Sequence, residues 1–214
     1  MTALLIFLIL ALLLLTGMPV SIALGLTVFT FLFGFTDIPM DSIALKLFTG
    51  IEKFEIMAIP FFILAGNFLT HGGVARRMIR FATAMVGHWY GGMGMAAVMA
   101  CALFAAISGS SPATVMAVGS ILIPAMVKQG YPPQFGVGSI VTAGGLGILI
   151  PPSIVMVMYS VATSGMVVTG PDGETVLSAS IGTLFMAGVV PGLMLATMLG
   201  ATTYWRAKKH NYPR

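Results

Sequence analysis

Hydrophobic residues run through this chain in long blocks, and a few glycine and proline positions break them. Thr2 to Phe35 is apolar except around Gly17-Met18-Pro19. Proline lacks an amide donor and clashes with the preceding turn, so a kink is expected there. Each half falls short of the roughly 20 residues a crossing needs, which predicts one long bent or tilted crossing rather than two. Thr36 to Glu55 scatters Asp37, Asp41, Lys46, Glu52, Lys53 and Glu55 among Ile43, Leu45, Leu47, Phe48 and Ile51, the mixture of a helix lying at a membrane interface. Met57 to Thr70 predicts an apolar helix with Pro60 near its start. His71-Gly72-Gly73 ends it, because glycine accepts the left-handed conformation that terminates helices.

Two apolar arms follow, Met93 to Ile107 and Thr114 to Val127, parted by Ser108-Gly109-Ser110-Ser111-Pro112. Each arm is about 15 residues, short for a crossing. Phe135 to Thr163 is apolar again, broken by Gly144-Gly145-Leu146-Gly147 and Pro151-Pro152-Ser153. The loop Ser164 to Ser178 carries Asp172 and Glu174 and no Lys or Arg. A last crossing from Ile181 to Tyr204 ends in Trp205-Arg206-Ala207-Lys208-Lys209, an aromatic and basic stop.

Composition turns these blocks into membrane segments. Of 214 residues, 58% are hydrophobic and 7% charged, with a mean hydropathy of +1.03, whereas a soluble domain carries about 25% charged residues. Lipid is therefore the solvent for most of the chain. Met1 to Leu15 has no basic leader and no small-x-small cleavage site, and reads as a retained anchor rather than a secretory signal. Cys101, the single cysteine, lies in an apolar run and reads as a small buried hydrophobe. The 17 methionines read as adaptable apolar filling.

Charge then sets the orientation. The net charge of +4 gives no patch of basic residues interleaved with aromatics, so no nucleic-acid partner is expected. Arg76, Arg77 and Arg80 precede the two arms and Lys128 follows them, while Arg206, Lys208, Lys209 and Arg214 close the chain. The positive-inside rule puts these eight in the cytoplasm and the Asp172 loop outside. Arms with both outer ends in the cytoplasm are expected to form a re-entrant hairpin. Two complete short crossings have the same sidedness, and charge alone does not separate the two.

No Asp, Glu, Lys or Arg lies between residues 81 and 127 or between 129 and 171, which argues against a proton relay through this chain. Those regions hold Gly, Ser, Thr and Pro instead. Broken helices release carbonyls, hydroxyls add neutral oxygens, and such a set suits a monovalent cation better than a divalent one. Broken backbone is tolerated at membrane depth only where protein or a water-filled site satisfies it. The breaks at Ser108 to Thr114 and Gly144 to Ser153 are therefore expected to face each other, with helix N-termini offering positive dipole ends to a carboxylate. Gly136, Gly138, Ser139, Gly188 and Gly192 read as helix-packing positions, and Asn67 as the partner in an interhelical hydrogen bond. An intramembrane serine nucleophile would need a histidine base. His71 and His88 fall in the connector and His210 in the tail, so no enzyme is expected. A structural or assembly membrane subunit without its own ion site is the alternative.

Several motifs recur here as a set. The run Ala58 to Asn67 (AIPFFILAGN), Gly72-Gly73-Val74-Ala75-Arg76-Arg77 and Val86-Gly87-His88 resemble the large, DctM-like membrane subunit of tripartite ATP-independent periplasmic (TRAP) transporters. So do Ala106 to Thr114 (AISGSSPAT), Gly119 to Pro124 (GSILIP), Leu146 to Ser153 (LGILIPPS) and Leu184 to Gly192 (LFMAGVVPG). The resemblance implies an all-α polytopic membrane protein with a re-entrant helical hairpin and a broken transmembrane helix, one repeat of an elevator-type inverted-repeat transporter. It implies sodium-coupled uptake of an organic acid, a carboxylate of the C4-dicarboxylate or sialic acid type, across the bacterial inner membrane.

The partners it implies are a small Q-type membrane subunit, a periplasmic substrate-binding protein and membrane lipid. A missing C-terminal half of the large subunit is implied too, since members have two inverted repeats and this chain is expected to be a fragment. Its divisions by that resemblance are a scaffold or anchor helix plus interfacial helix (1-56), a membrane helix and cytoplasmic connector (57-90), the hairpin (91-133), the broken transport-domain helix (134-165), a periplasmic loop (166-180) longer than usual, and the last helix with its basic tail (181-214). The sodium ion falls to Ser108 and Ser111 with backbone at Gly144, Gly147 and Ile150. Ser110, Thr114 and Ser153 are the substrate candidates.

Overall fold

A computed structural model describes residues 2–36, 39–164, 168–169, 175–176 and 180–213. Asp37, Asp172, Glu174 and Arg214 lie outside the described residues, as does most of the expected periplasmic loop. The fold is helical, with one pair of two-residue strands, β1 (Val168–Thr169) and β2 (Thr175–Val176), joined antiparallel. The chain divides into two compact units, Met1–Glu52 and Lys53–Arg214.

In the first unit the expectation of one long bent crossing is corrected. α1 (Thr2–Leu15) and α2 (Val20–Phe35) are separate helices, and Leu8 and Leu12 of α1 line one crevice with Leu26 and Thr30 of α2. Gly17 takes a left-handed φ of 79°, a conformation glycine adopts without a Cβ penalty. Pro19 then caps α2, so the chain turns back instead of bending. At about 1.5 Å per residue the two helices are about 21 and 24 Å long. The interfacial segment is shorter than expected: α3 is Met40–Ile51, and Glu55 belongs to the next helix.

The second unit opens with α4 (Phe54–His71), ended at Gly72 with Gly73 at a φ of 76°, as its glycines predict. The segment that follows, read in the sequence as a connector, is a regular helix, α5 (Val74–Val86). Its periodic Ala75, Ile79 and Ala82 are buried beside α6 (Gly92–Ser108). α6 and α7 (Ser111–Lys128) pack together as a helical hairpin with Gly109-Ser110 at the tip, and α8 (Pro133–Gly144) packs on both. Their shared core includes Ala96, Ala97, Cys101, Phe104, Leu122 and Ile140.

The broken helix appears where glycine and proline predict it. After α8 come one short turn, α9 (Leu146–Leu149), an extended stretch through Ser153, and α10 (Ile154–Thr163). α11 runs from Ile181 through Lys209, five residues past the expected end of the crossing. Four spans, Phe54–His71, Ser111–Lys128, Pro133–Thr163 and Ile181–Lys209, are long and apolar enough to cross a membrane. The chain is thus a multi-pass membrane protein of the all-α class, its one small strand pair lying in the loop before α11.

Candidate functional site

The two predicted breaks meet. Gly109, at the hairpin tip, has a φ of 60°, and a Cβ there would lie 2.5 Å from the Pro152 carbonyl oxygen. Only glycine therefore lets this backbone lie against the broken helix. The contact is tied by the Ile154 amide donating to the Gly109 carbonyl at 3.2 Å. A Cβ on Gly147 would stand 2.9 Å from both Ser110 C and Ser111 N, so here too backbone rests on backbone. Gly144 faces Val115 and the Ser111 carbonyl.

Around this junction lie neutral oxygens. Ser108, Thr114 and Ser153 are buried. Thr114 Oγ1 donates to the Ser110 carbonyl at 2.8 Å and shares a 3.1 Å bond with Ser108 Oγ, which also lies 3.4 Å from that carbonyl. A hydroxyl has one proton and two lone pairs. Ser108 Oγ thus keeps lone pairs for an acceptor role, one near the Ser110 amide at 3.4 Å. The half-buried Ser111 hydroxyl makes no hydrogen bond among the described residues. No group of three His, Cys, Asp or Glu is present among the described residues, and the side-chain atoms named at this junction are hydroxyl oxygens, of a kind that suits a weakly held monovalent cation.

Two helices also start at the junction. Ser110 Oγ accepts from the Ala113 amide at 3.5 Å and caps α7. Ser153 Oγ accepts from the Met156 amide at 3.4 Å, capping α10, and donates to the freed Ile148 carbonyl at 2.6 Å. A serine cap satisfies one orphan amide and leaves others at the terminus unbonded within the helix. The N-terminal ends of α7 and α10, each bearing roughly half a positive charge, are joined through Gly109.

The matching family model is that of the DctM component of the tripartite ATP-independent periplasmic transporters, over residues 7–214. The chain belongs to this family. It is 75% identical over its full length to the C4-dicarboxylate TRAP transporter large permease protein DctM of Rhodobacter capsulatus, covering 49% of that protein. It is 47% identical to the protein of the same description from Vibrio cholerae, covering 44% of it. To the isethionate TRAP transporter permease protein DctMQ of Oleidesulfovibrio alaskensis it is 44% identical over 94% of the chain and 30% of that protein. This DctM-family chain thus spans half or less of the length of these relatives.

Of the sequence-predicted site residues, Ser108, Ser110, Ser111 and Thr114 share the tip, and Gly144 and Gly147 press against it. Ile150 stands further round the break, its Cγ1 2.9 Å from where a Cβ on Gly192 would lie. The packing role expected of Gly188 and Gly192 holds, against Leu149, Ile150 and Met156, whereas Gly138 meets open space. Asn67 is corrected: its side chain is exposed and makes no hydrogen bond among the described residues. Its neighbour Gly66 lies against the tip, where a Cβ would stand 3.4 Å from Ser108 Cβ. Lys53 was missed. It donates to the Val161 carbonyl at 3.2 Å and to Ser164 Oγ, closing the C-terminal end of α10. A cation at that negative dipole end is favourable.

Proposed function

We propose that this chain supplies half of the ion and substrate site of a sodium-coupled organic-acid transporter of the bacterial inner membrane. The observation that carries the reading is the meeting of hairpin tip and helix break, with neutral oxygens and two helix N-termini in one place. Sodium is held by Ser108 Oγ and Ser111 Oγ with backbone oxygens near Gly144, Gly147 and Ile150. Its charge, with the dipole ends of α7 and α10, favours a carboxylate near Ser110, Thr114 and Ser153. Binding of anion and cation then assist each other. The chain moves a solute and performs no covalent chemistry.

The substrate class follows from relatives named for C4-dicarboxylates and isethionate, all small organic anions. Partners are a periplasmic binding protein, a small membrane subunit of the kind the DctMQ name joins to the permease, and the rest of the large subunit. With those parts the hairpin and broken helix move together as an elevator.

The test is sodium-dependent uptake by an assembled transporter carrying this segment. Ser111→Ala removes a ligand whose loss costs roughly 1–3 kcal/mol. At 1.4 kcal/mol per tenfold, the sodium concentration for half-maximal uptake is expected to rise about 5- to 150-fold at normal expression. Unchanged sodium dependence in Ser108→Ala and Ser111→Ala, singly and together, would sink the assignment and favour an assembly role.

A further inference from the structure

Helix α5 carries three distinct stripes. At 3.6 residues per turn, Ala75, Ile79 and Ala82 form the face buried beside α6. Arg76, Arg77 and Arg80 form a second, exposed face. Phe81 and Met85 form a third, 54% and 50% exposed, continued by exposed Trp89 in the loop that follows. No Asp or Glu occurs between Glu55 and Asp172, and no arginine of the three has a carboxylate partner among the described residues. An arginine in hydrocarbon is strongly disfavoured, and exposed Phe and Met in water are disfavoured too. The polar and apolar stripes both run lengthwise, so a boundary between water and lipid satisfies them only when it lies along the helix.

The end of α5 meets a second feature of that boundary. Trp89 contacts Tyr204 edge to face at 6.0 Å, and the exposed Trp205 lies under Lys209 at 5.4 Å. Aromatic and basic residues in this combination sit at the headgroup level.

We propose that α5 rests on the bilayer as an anionic-lipid-binding helix, its three arginines on lipid phosphates and Phe81 and Met85 in the acyl boundary. Charge complementarity chooses the occupant: three unpaired guanidinium groups on one side and an apolar edge beside them fit an anionic membrane surface. This surface is separate from the ion and substrate site, so the proposal stands whether or not that reading holds.

The test uses the whole chain in nanodiscs of phosphatidylcholine, alone or with phosphatidylglycerol. Met85→Cys and, separately, Phe81→Cys carry an environment-sensitive fluorophore, Cys101 being fully buried. Expected is quenching by a lipid-borne quencher placed just below the headgroups, stronger with phosphatidylglycerol. Native mass spectrometry reads the lipid retained. The triple change Arg76→Gln, Arg77→Gln and Arg80→Gln, which keeps helix propensity, is expected to lower phosphatidylglycerol enrichment by about 100-fold, at about fivefold per arginine. Lys208→Gln with Lys209→Gln serves as the charge control and leaves the position 85 quenching unchanged. Quenching by aqueous iodide alone, quenching by neither agent because protein covers the face, or unaltered enrichment in the triple variant would each overturn the proposal.

Discussion

Gly147 shows how one missing side chain places the site. A methyl group there would fall 2.9 Å from the tip backbone at Ser110 and Ser111, and backbone cannot rotate aside as a long side chain does. Gly138, on the neighbouring helix, faces open space. The same substitution therefore has opposite signs at the two positions. Gly138→Ala gains up to about 1 kcal/mol of helix propensity and is expected to hold or raise the unfolding temperature in detergent. Gly147→Ala is expected to destabilise by about 1–3 kcal/mol, the range of an overpacked core, and to part the tip from the break. Equal unfolding temperatures for the two variants would mean that the junction is looser than the geometry states. Ser108 adds a second point at this scale. That serines stand at the tip was legible, but the bonding of Ser108 to Thr114 and to the Ser110 carbonyl was not, because it depends on how the tip turns.

Among the elements, the ends of α6, α7 and α11 are fastened by the tail. The Pro213 carbonyl accepts from the Gly91 amide at 3.2 Å and from the Tyr131 hydroxyl at 2.6 Å, while Tyr212 packs on Phe135 at 4.8 Å. Burial pushes the Tyr131 phenol above its ordinary value, with a backbone hydrogen bond from Met93 opposing. The folded state therefore holds this proton more tightly than the unfolded chain. That stabilisation is complete below about pH 10, the ordinary tyrosine value, and is lost as pH rises through the higher folded value. Tyr131→Phe is expected to cost about 0.5–1.5 kcal/mol near neutral pH and to flatten the alkaline loss. Parallel unfolding curves of both proteins from pH 8 to 11 check this, and equal alkaline slopes would remove Tyr131 from the clasp. A lone tyrosine in a polar tail gives no sequence signal for such a contact. The helix breaks were legible because glycine and proline act on their own turns. The return of α1 onto α2 was not, since Gly17 and Pro19 permit a kink or a turn and packing between Leu8 and Leu26 decides. For α5 the buried period of Ala75, Ile79 and Ala82 was present in the sequence, although the sequence reading named the segment only as a connector.

At the scale of the molecule, basic residues gather at particular helix ends. Lys128 ends α7 and Lys208 and Lys209 end α11. The Pro213 contacts draw the connectors beside these ends together. Ser164, bonded to Lys53, closes the other end of α10. By the positive-inside rule, Lys128→Cys and Lys208→Cys are expected to react with an impermeant maleimide only from the cytoplasm, and Ser164→Cys only from the periplasm. The reverse pattern would invert the orientation. Function then turns on how much of the transporter is present. The chain covers 49% of the Rhodobacter capsulatus permease and 44% of the Vibrio cholerae one. A pseudo-symmetric transporter builds its site from two repeats around the membrane midplane, and one hairpin with one broken helix furnishes one side of such a site. Proteoliposomes holding these 214 residues with a binding protein and a sodium gradient are accordingly expected to take up no more C4-dicarboxylate than empty vesicles. Adding the polypeptide that corresponds to the remainder of the relatives, with the small membrane subunit, is expected to restore uptake. Accumulation by the 214 residues without that polypeptide would show that a single hairpin and break suffice, and the half-site reading would fall.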